Sequence, residues 1–298
     1  MITGSLVALA TPFTDSDEVD YQALERLIDF HCDAGTDGLV IAGTTGESAT
    51  LVKDEHARLV HRAVELAAGR IPILAGTGSN STAQTIALSR AVDGSGISGY
   101  LLVVPYYNKP TQEGMVRHFT AVADTVSRPV MLYNVPGRTS SDVKPETVAR
   151  LAGHERIFGI KDATGDLGRL RDMQAVCPPD FLYFSGDDFT SADFLLAGGH
   201  GVVSVTANVL PALMARMCRA AAAGDEQRVR ELDAMLQPMN EAMFLESNPI
   251  PVKWALHRMG MMGAGIRLPL TPLDPALRER LEAVLERCGV NTMQEVPA

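Results

Sequence analysis

Eight short apolar runs recur along the chain, at residues 6–13, 38–44, 71–78, 100–105, 130–135, 157–161, 181–185 and 201–205. Each is rich in Val, Ile, Leu or aromatic residues, and most end in Gly, Pro, Thr, Asn or Asp, which predicts strands. Between them lie longer stretches whose apolar residues return every three or four positions. These predict helices over 21–34, 54–68, 81–92, 112–126, 145–152 and 210–223. Asp20, Lys53-Asp54 and Ser79-Asn80-Ser81 supply helix starts. Eight strands alternating with helices predict an α/β fold, a (β/α)8 TIM barrel. The alternative is a doubly wound open sheet. No G-x-G-x-x-G follows the first strand, and Gly76-Thr77-Gly78 alone is a weak substitute.

After residue 224 the strand pattern stops. Residues 226–245, 250–259 and 275–288 predict three helices, separated by Ser247-Asn-Pro-Ile-Pro and Leu268-Pro-Leu-Thr-Pro. The expected organisation is a catalytic barrel over 1–224 and a small helical C-terminal domain over 225–298, with the tail Gln294-Glu-Val-Pro-Ala fraying at its end.

A barrel's active site lies at the C-terminal ends of its strands, and the polar, Gly-rich segments fall there. Lys161 ends the sixth run, in Ile-Phe-Gly-Ile-Lys-Asp-Ala-Thr-Gly-Asp. A lysine amine held on a strand end and facing a pocket is a Schiff-base nucleophile where its surroundings leave part of it neutral. The second run ends in Gly43-Thr-Thr-Gly-Glu-Ser48, whose N–H groups and hydroxyls suit a carboxylate. Tyr133, at the end of the fifth run, is a proton relay candidate. Arg138, after a Pro-Gly turn, can grip a carboxylate with two parallel hydrogen bonds. Of Tyr106 and Tyr107, strand alternation lets one face the site. Each also has a bland reading: a snorkelling lysine, a plain βα turn, a rim tyrosine, a solvated arginine.

Composition narrows the classes. The 298 residues are 46% hydrophobic, enough for a large core, and the net charge of −10 argues against a nucleic-acid surface. Four scattered cysteines without a CxxC predict buried thiols rather than disulfides or zinc. There is no signal-like N-terminus and no apolar run of about 18 residues, so a soluble cytoplasmic protein with no membrane association is expected. No metal site is expected: Asp187-Asp188 predicts a helix N-terminus, and His56 and His61 are expected on a helix surface.

Gly43-Thr-Thr-Gly-Glu, Tyr133-Asn-Val-Pro-Gly-Arg138 and Gly159-Ile-Lys-Asp-Ala-Thr164 together resemble the signatures of the dihydrodipicolinate synthase/N-acetylneuraminate lyase family. The likeness runs from about Gly4 to Pro272, through residues 199–208 and 248–253. It implies a Schiff base between Lys161 and pyruvate, and a relay of Thr44, Tyr107 and Tyr133 with Tyr107 reaching in from a neighbouring subunit. The Thr44-Thr45 turn would hold the pyruvate carboxylate, and Arg138 the carboxylate of L-aspartate 4-semialdehyde. The carbonyls of Gly186 and Val203 would line the lysine pocket. The resemblance also implies a homotetramer, a dimer of dimers, without organic cofactor, serving diaminopimelate and lysine biosynthesis. Arg138, and Gly43-Thr-Thr rather than Gly-Ser-Thr, favour the synthase branch over the sialic-acid lyases, whose acceptors are sugars. Asp162 departs from the Glu of many synthases, with its side chain expected off the lysine's face.

Feedback-inhibited members bind lysine at positions matching Ser48, Ala49, Lys53, His56, Asn80, Gln84 and Tyr106. Here Lys53 replaces a histidine and Gln84 a glutamate, so weak or absent lysine inhibition is expected. Two other functions compete with the synthase reading. One is a pyruvate aldolase for a sugar-like aldehyde, against which Arg138 counts. The other is a non-catalytic ligand-binding paralogue, against which the complete residue set counts.

Overall fold

The computed structural model describes residues 2–293; the tail expected to fray, 294–298, lies outside the described residues. Its centre is a closed barrel of eight parallel strands in sequence order. They are β1 (Gly4–Ala8), β2 (Gly38–Ile41), β3 (Ile73–Gly76), β4 (Gly99–Val103), β5 (Val130–Asn134), β6 (Ile157–Asp162), β7 (Leu182–Ser185) and β8 (Gly201–Ser204). Closure is made by β8 against β1, with Val203 beside Leu6. The barrel leaves no sheet edge unpaired.

Strict alternation separates two cores. Leu6, Val40, Leu74, Leu101, Met131, Phe184 and Val203 point inward and pack on one another. Their strand neighbours, including Val7, Leu39, Ile73, Leu102, Leu132 and Ile160, point outward beneath the helices. This two-sided burial explains why the strands read as continuous apolar runs. It also explains why some runs overshoot: Leu9, Ala10 and Phe13 stay buried beyond the end of β1.

Around the barrel lie α1 (Tyr21–Ala34), α2 (Lys53–Ala67), α3 (Thr82–Val92), α4 (Gln112–Ala123), α5 (Pro136–Thr139), α6 (Pro145–Ala152), α7 (Leu167–Val176), α8 (Ser191–Leu196) and α9 (Pro211–Ala222). Three more follow: α10 (Glu226–Ala242), α11 (Ile250–Arg258) and α12 (Pro275–Arg287). In α1, Asp20 accepts from the N–H groups of Gln22 and Ala23, and Gly35 closes the helix at φ +74°. The inward stripe of α1 buries Leu24, Leu27 and Ile28, a gross gain of roughly 5–9 kcal/mol. Ser81 caps α3 in the same way. At α2 the expected cap is absent: Val52 precedes the helix, and Asp54 instead sits in the first turn, where a negative charge suits the helix dipole.

His56 is a correction. It is buried on the inner stripe of α2 with Leu59, Val60, Ala63 and Ala67. Its Nε2 lies 2.8 Å from the Gly76 carbonyl, and burial pulls its pKa below the ordinary histidine value, opposed by that hydrogen bond. His61 is exposed as expected. Cys218 is buried, whereas Cys32, Cys177 and Cys288 are half-buried; all four are free thiols. Among the described residues, no helix is long and apolar enough to cross a membrane.

Candidate active site

A cavity of about 250 Å³ opens at the C-terminal ends of the strands. Its walls bring together Lys161, Tyr133, Thr44, Thr45, Arg138 and Gly186, with Asp187, Val205, Phe244 and Asn248. Lys161 is inward because its neighbours Ile160 and Asp162 face the helices. It is only 4% exposed. In the β5–β6 register it stands beside Tyr133, and its Nζ lies 4.3 Å from the centre of the tyrosine ring. On the neighbouring β7 side, Gly186 leaves room for the lysine stem: a Cβ there would fall 2.6 Å from Lys161 Cε.

Asp162 lies on the far face. It accepts from Asn134 Nδ2 (3.1 Å), the Thr164 N–H (3.0 Å) and Arg169 Nε (3.3 Å). The shorter carboxylate therefore braces β5 against β6 from outside, without touching the cavity.

The turn after β2 is held at every residue. The Gly46 and Glu47 N–H groups donate to the Gly43 and Thr44 carbonyls, each at 3.1 Å. Thr11 Oγ1 donates to the Gly46 carbonyl at 2.7 Å. Asn248 Nδ2 donates to Thr45 Oγ1 at 3.0 Å. Glu47 is buried in an ion pair with Lys253, and its other oxygen accepts the Arg267 backbone N–H at 3.0 Å. Burial pulls the Lys253 ammonium down to about 8, against the opposing pull of Glu47.

Arg138 sits on α5, exposed at the cavity mouth, where its NH2 group donates to the Asn248 carbonyl at 3.2 Å. Asp187 and Asp188 divide their work. Asp187 Oδ2 accepts from the Thr190 N–H (3.1 Å) and hydroxyl (2.7 Å) just ahead of α8. Asp188 is buried and accepts from the Val205 (2.9 Å) and Thr206 (3.0 Å) N–H groups. Burial pushes the Asp188 carboxyl above the usual range, against those hydrogen bonds. It ties the end of β7 to the end of β8, which sequence reasoning missed.

The tyrosine pair also differs from expectation. β4 ends at Val103, so Tyr106 and Tyr107 belong to a loop and strand alternation does not govern them. Tyr107 takes φ +74° and is 87% exposed, against 37% for Tyr106. Neither lines the cavity of its own chain. Val203 packs in the inner barrel layer, and Val205 reaches the cavity wall instead.

Of the positions matched to lysine binding, Ser48 shares a small cleft of about 30 Å³ with Thr44 and Tyr133. Ala49 lies in the same turn and Lys53 opens α2. The Asn80 carbonyl accepts from Asn108 Nδ2 at 2.9 Å, and Gln84 Oε1 accepts from Ser79 Oγ at 3.1 Å. His56 is buried, with its Nε2 against the Gly76 carbonyl.

Sequence reasoning also passed over Asn248, Phe244 and the Glu47–Lys253 pair. The visible signals were the acid closing Gly-Thr-Thr-Gly-Glu and the polar residues in Asn248-Pro-Ile-Pro-Val-Lys253.

The description of the dihydrodipicolinate synthetase family matches residues 1–288. The chain is 53% identical over 291 residues to the 4-hydroxy-tetrahydrodipicolinate synthase of Pseudoalteromonas atlantica, covering 97% of this chain and 99% of that one. It is 54% identical over 290 residues to that of Laribacter hongkongensis, covering 97% and 100%. Among solved structures it superposes with a TM-score of 0.96, at 46% identity, on the chloride-inhibited dihydrodipicolinate synthase of Acinetobacter baumannii complexed with pyruvate, covering 98% of this chain and 100% of that one. The chain belongs to the dihydrodipicolinate synthetase family.

Proposed function

We propose that the chain condenses pyruvate with L-aspartate 4-semialdehyde to give 4-hydroxy-2,3,4,5-tetrahydrodipicolinate, in the cytoplasm, as a lyase of the class I aldolase type. The observation that carries this reading is one cavity that gathers a buried lysine, a tyrosine, a Gly-Thr-Thr turn and an arginine.

The neutral Lys161 amine attacks the pyruvate ketone and water leaves, forming an iminium. Loss of a methyl proton gives an enamine, with the iminium nitrogen as electron sink. The enamine carbon bonds to the aldehyde carbon of the semialdehyde, whose oxygen takes a proton. The semialdehyde amine then attacks the iminium carbon, closing the ring and releasing Lys161 as the free amine. Tyr133 moves the protons, supported by Thr44. Tyr107 of a neighbouring subunit completes the relay within a dimer of dimers; the exposure of its side chain supports this reading. The Thr44-Thr45 turn receives the pyruvate carboxylate, and Arg138 at the mouth receives that of the semialdehyde. Gly186 lines the lysine pocket, whereas Val203, packed in the inner barrel layer, is not part of its wall. The barrel region over 1–224 and the C-terminal region from 225 onward act as two units of one catalyst.

Borohydride reduction in the presence of pyruvate tests the imine. A mass increase on the Lys161 peptide is expected, and its absence would sink the mechanism. A coupled assay comparing aspartate 4-semialdehyde with N-acetylneuraminate tests the acceptor; turnover of the sugar alone would overturn the assignment.

A further inference from the structure

We infer that Glu47 and Lys253 are positioning residues: their buried contact sets the 43–47 turn, from a helix outside the barrel, in the orientation that receives the pyruvate carboxylate. The inference rests on the functional reading above, which assigns that turn to pyruvate.

The backbone gives the first argument. Glu47 adopts φ +54°, the left-handed region that costs a side-chain-bearing residue roughly 1 kcal/mol or more and a glycine almost nothing. A glycine would make the same turn more cheaply. What glutamate adds is an anchor, and its side chain is fully buried.

The anchor is held on several sides. One carboxylate oxygen meets Lys253 Nζ, and the other takes the Arg267 N–H. Lys253 Nζ lies 4.3 Å from the centre of the Phe13 ring, and the Arg267 guanidinium carbon 4.1 Å from the same centre. Arg267 is itself fixed by Glu55, at 2.7 and 2.6 Å. Lys253 belongs to α11, the helix that follows Asn248. Asn248 in turn bonds Thr45 through its side chain and Arg138 through its carbonyl. Residues 248–253 thus reach the turn at two points and the mouth arginine at a third.

Energetics favour a directional role over a stabilising one. A buried ion pair is worth little net stability, because desolvating both charges offsets their attraction, and apolar residues of similar volume hold as well. Its distinctive property is a fixed direction for the carboxylate, and hence for the turn that carries it. Displacing a binding group by about 1 Å costs roughly 100-fold.

The test uses full-length Glu47→Gln, Lys253→Met and the double variant, with pyruvate and semialdehyde KM values from the coupled assay, borohydride trapping against pyruvate concentration, and thermal midpoints. Each single variant is expected to lose stability and to raise the pyruvate KM roughly tenfold or more, with the semialdehyde KM within about twofold of wild type. The double variant, with both charges gone, is expected to regain stability while its pyruvate KM stays high. A purely structural pair would restore both together, and that result overturns the inference. So does a folded Glu47→Gln with the wild-type pyruvate KM. Where a single variant does not fold, the double alone decides by the same criterion. Failure of the wild-type chain to trap pyruvate would instead strike the functional reading.

Discussion

Adding a single methyl group at Gly186 should disable Lys161, the proposed nucleophile, without touching it chemically. A Cβ at this position would stand 2.6 Å from Lys161 Cε, 3.1 Å from Lys161 Cγ and 2.8 Å from Ala163 Cβ. Carbon atoms in contact settle at about 3.5–4.0 Å, so something must retreat by about 1 Å. Ala163 Cβ is fixed to its backbone and cannot give. The lysine stem can, yet Tyr133 stands on its other side, with the ring centre 4.3 Å from Nζ. Gly186→Ala therefore displaces the amine. Overpacking should cost about 1–3 kcal/mol of stability. A misplacement of about 1 Å should slow imine formation by roughly 100-fold, equivalent to about 2.7 kcal/mol of barrier. The measurement is the rate of the borohydride-trapped pyruvate adduct, followed by intact mass, on protein whose thermal unfolding stays cooperative. Gly153→Ala is the control, since its nearest neighbour would be 3.6 Å away, and it should trap at the wild-type rate. A folded Gly186→Ala that also trapped at that rate would refute the placement of Lys161 as the nucleophile in this cavity.

Arg138→Ala should lower kcat/KM for the semialdehyde by roughly 10- to 100-fold, the loss of a charge-assisted contact of about 1.5–3 kcal/mol, while pyruvate trapping stays near wild type; equal loss of both steps contradicts its role. Burial holds His31 down to about 3 and His118 down to about 4, against an ordinary 6.5. The unfolded chain therefore binds more protons between those values, so stability is full above about pH 6.5 and falls as pH drops towards the folded values. At about 1.36 kcal/mol per unit, His118 alone accounts for about 3 kcal/mol, and urea midpoints that rose on acidification through this range would overturn the sign. With Lys53 and Gln84 at the positions that match lysine binding in feedback-inhibited family members, inhibition by lysine should be weakened by roughly 1.5–3 kcal/mol; strong inhibition at sub-millimolar lysine in the coupled assay would show otherwise.

The barrel was legible because its strands are buried on both faces, which turns each into an uninterrupted apolar run. Lys161 was legible for the same reason, as the one charge closing such a run in Ile-Phe-Gly-Ile-Lys. His56 was misread by residue type, although its position carried the answer: 56, 59, 60, 63 and 67 form one helical stripe facing the barrel. The alternation rule failed at Tyr106-Tyr107 because β4 ends at Val103, so the pair lies in the following loop, where alternation does not operate. α7 left a faint pattern because it buries only Leu170 and Met173. The least legible contacts are those joining the 43–47 turn to α11. Glu47 and Lys253 stand 206 positions apart, and only the folded chain brings them together.

That distance bears on how the site is built. The barrel supplies Lys161, the proposed nucleophile, and the turn, on strand ends whose loops face solvent. A loop alone gives a binding group poor definition; rigid elements hold it better. Here the pattern change near residue 225 separates two kinds of sequence, yet Phe244 and Asn248 line the cavity with Lys161. Asn248 bonds Thr45 and Arg138, the groups assigned to the two substrate carboxylates. A shift of this segment would therefore move both carboxylate sites together relative to the lysine. Changes in the C-terminal region that leave every barrel residue intact should accordingly appear in the KM of both substrates when they displace Asn248, and in that of pyruvate alone when they act through Lys253.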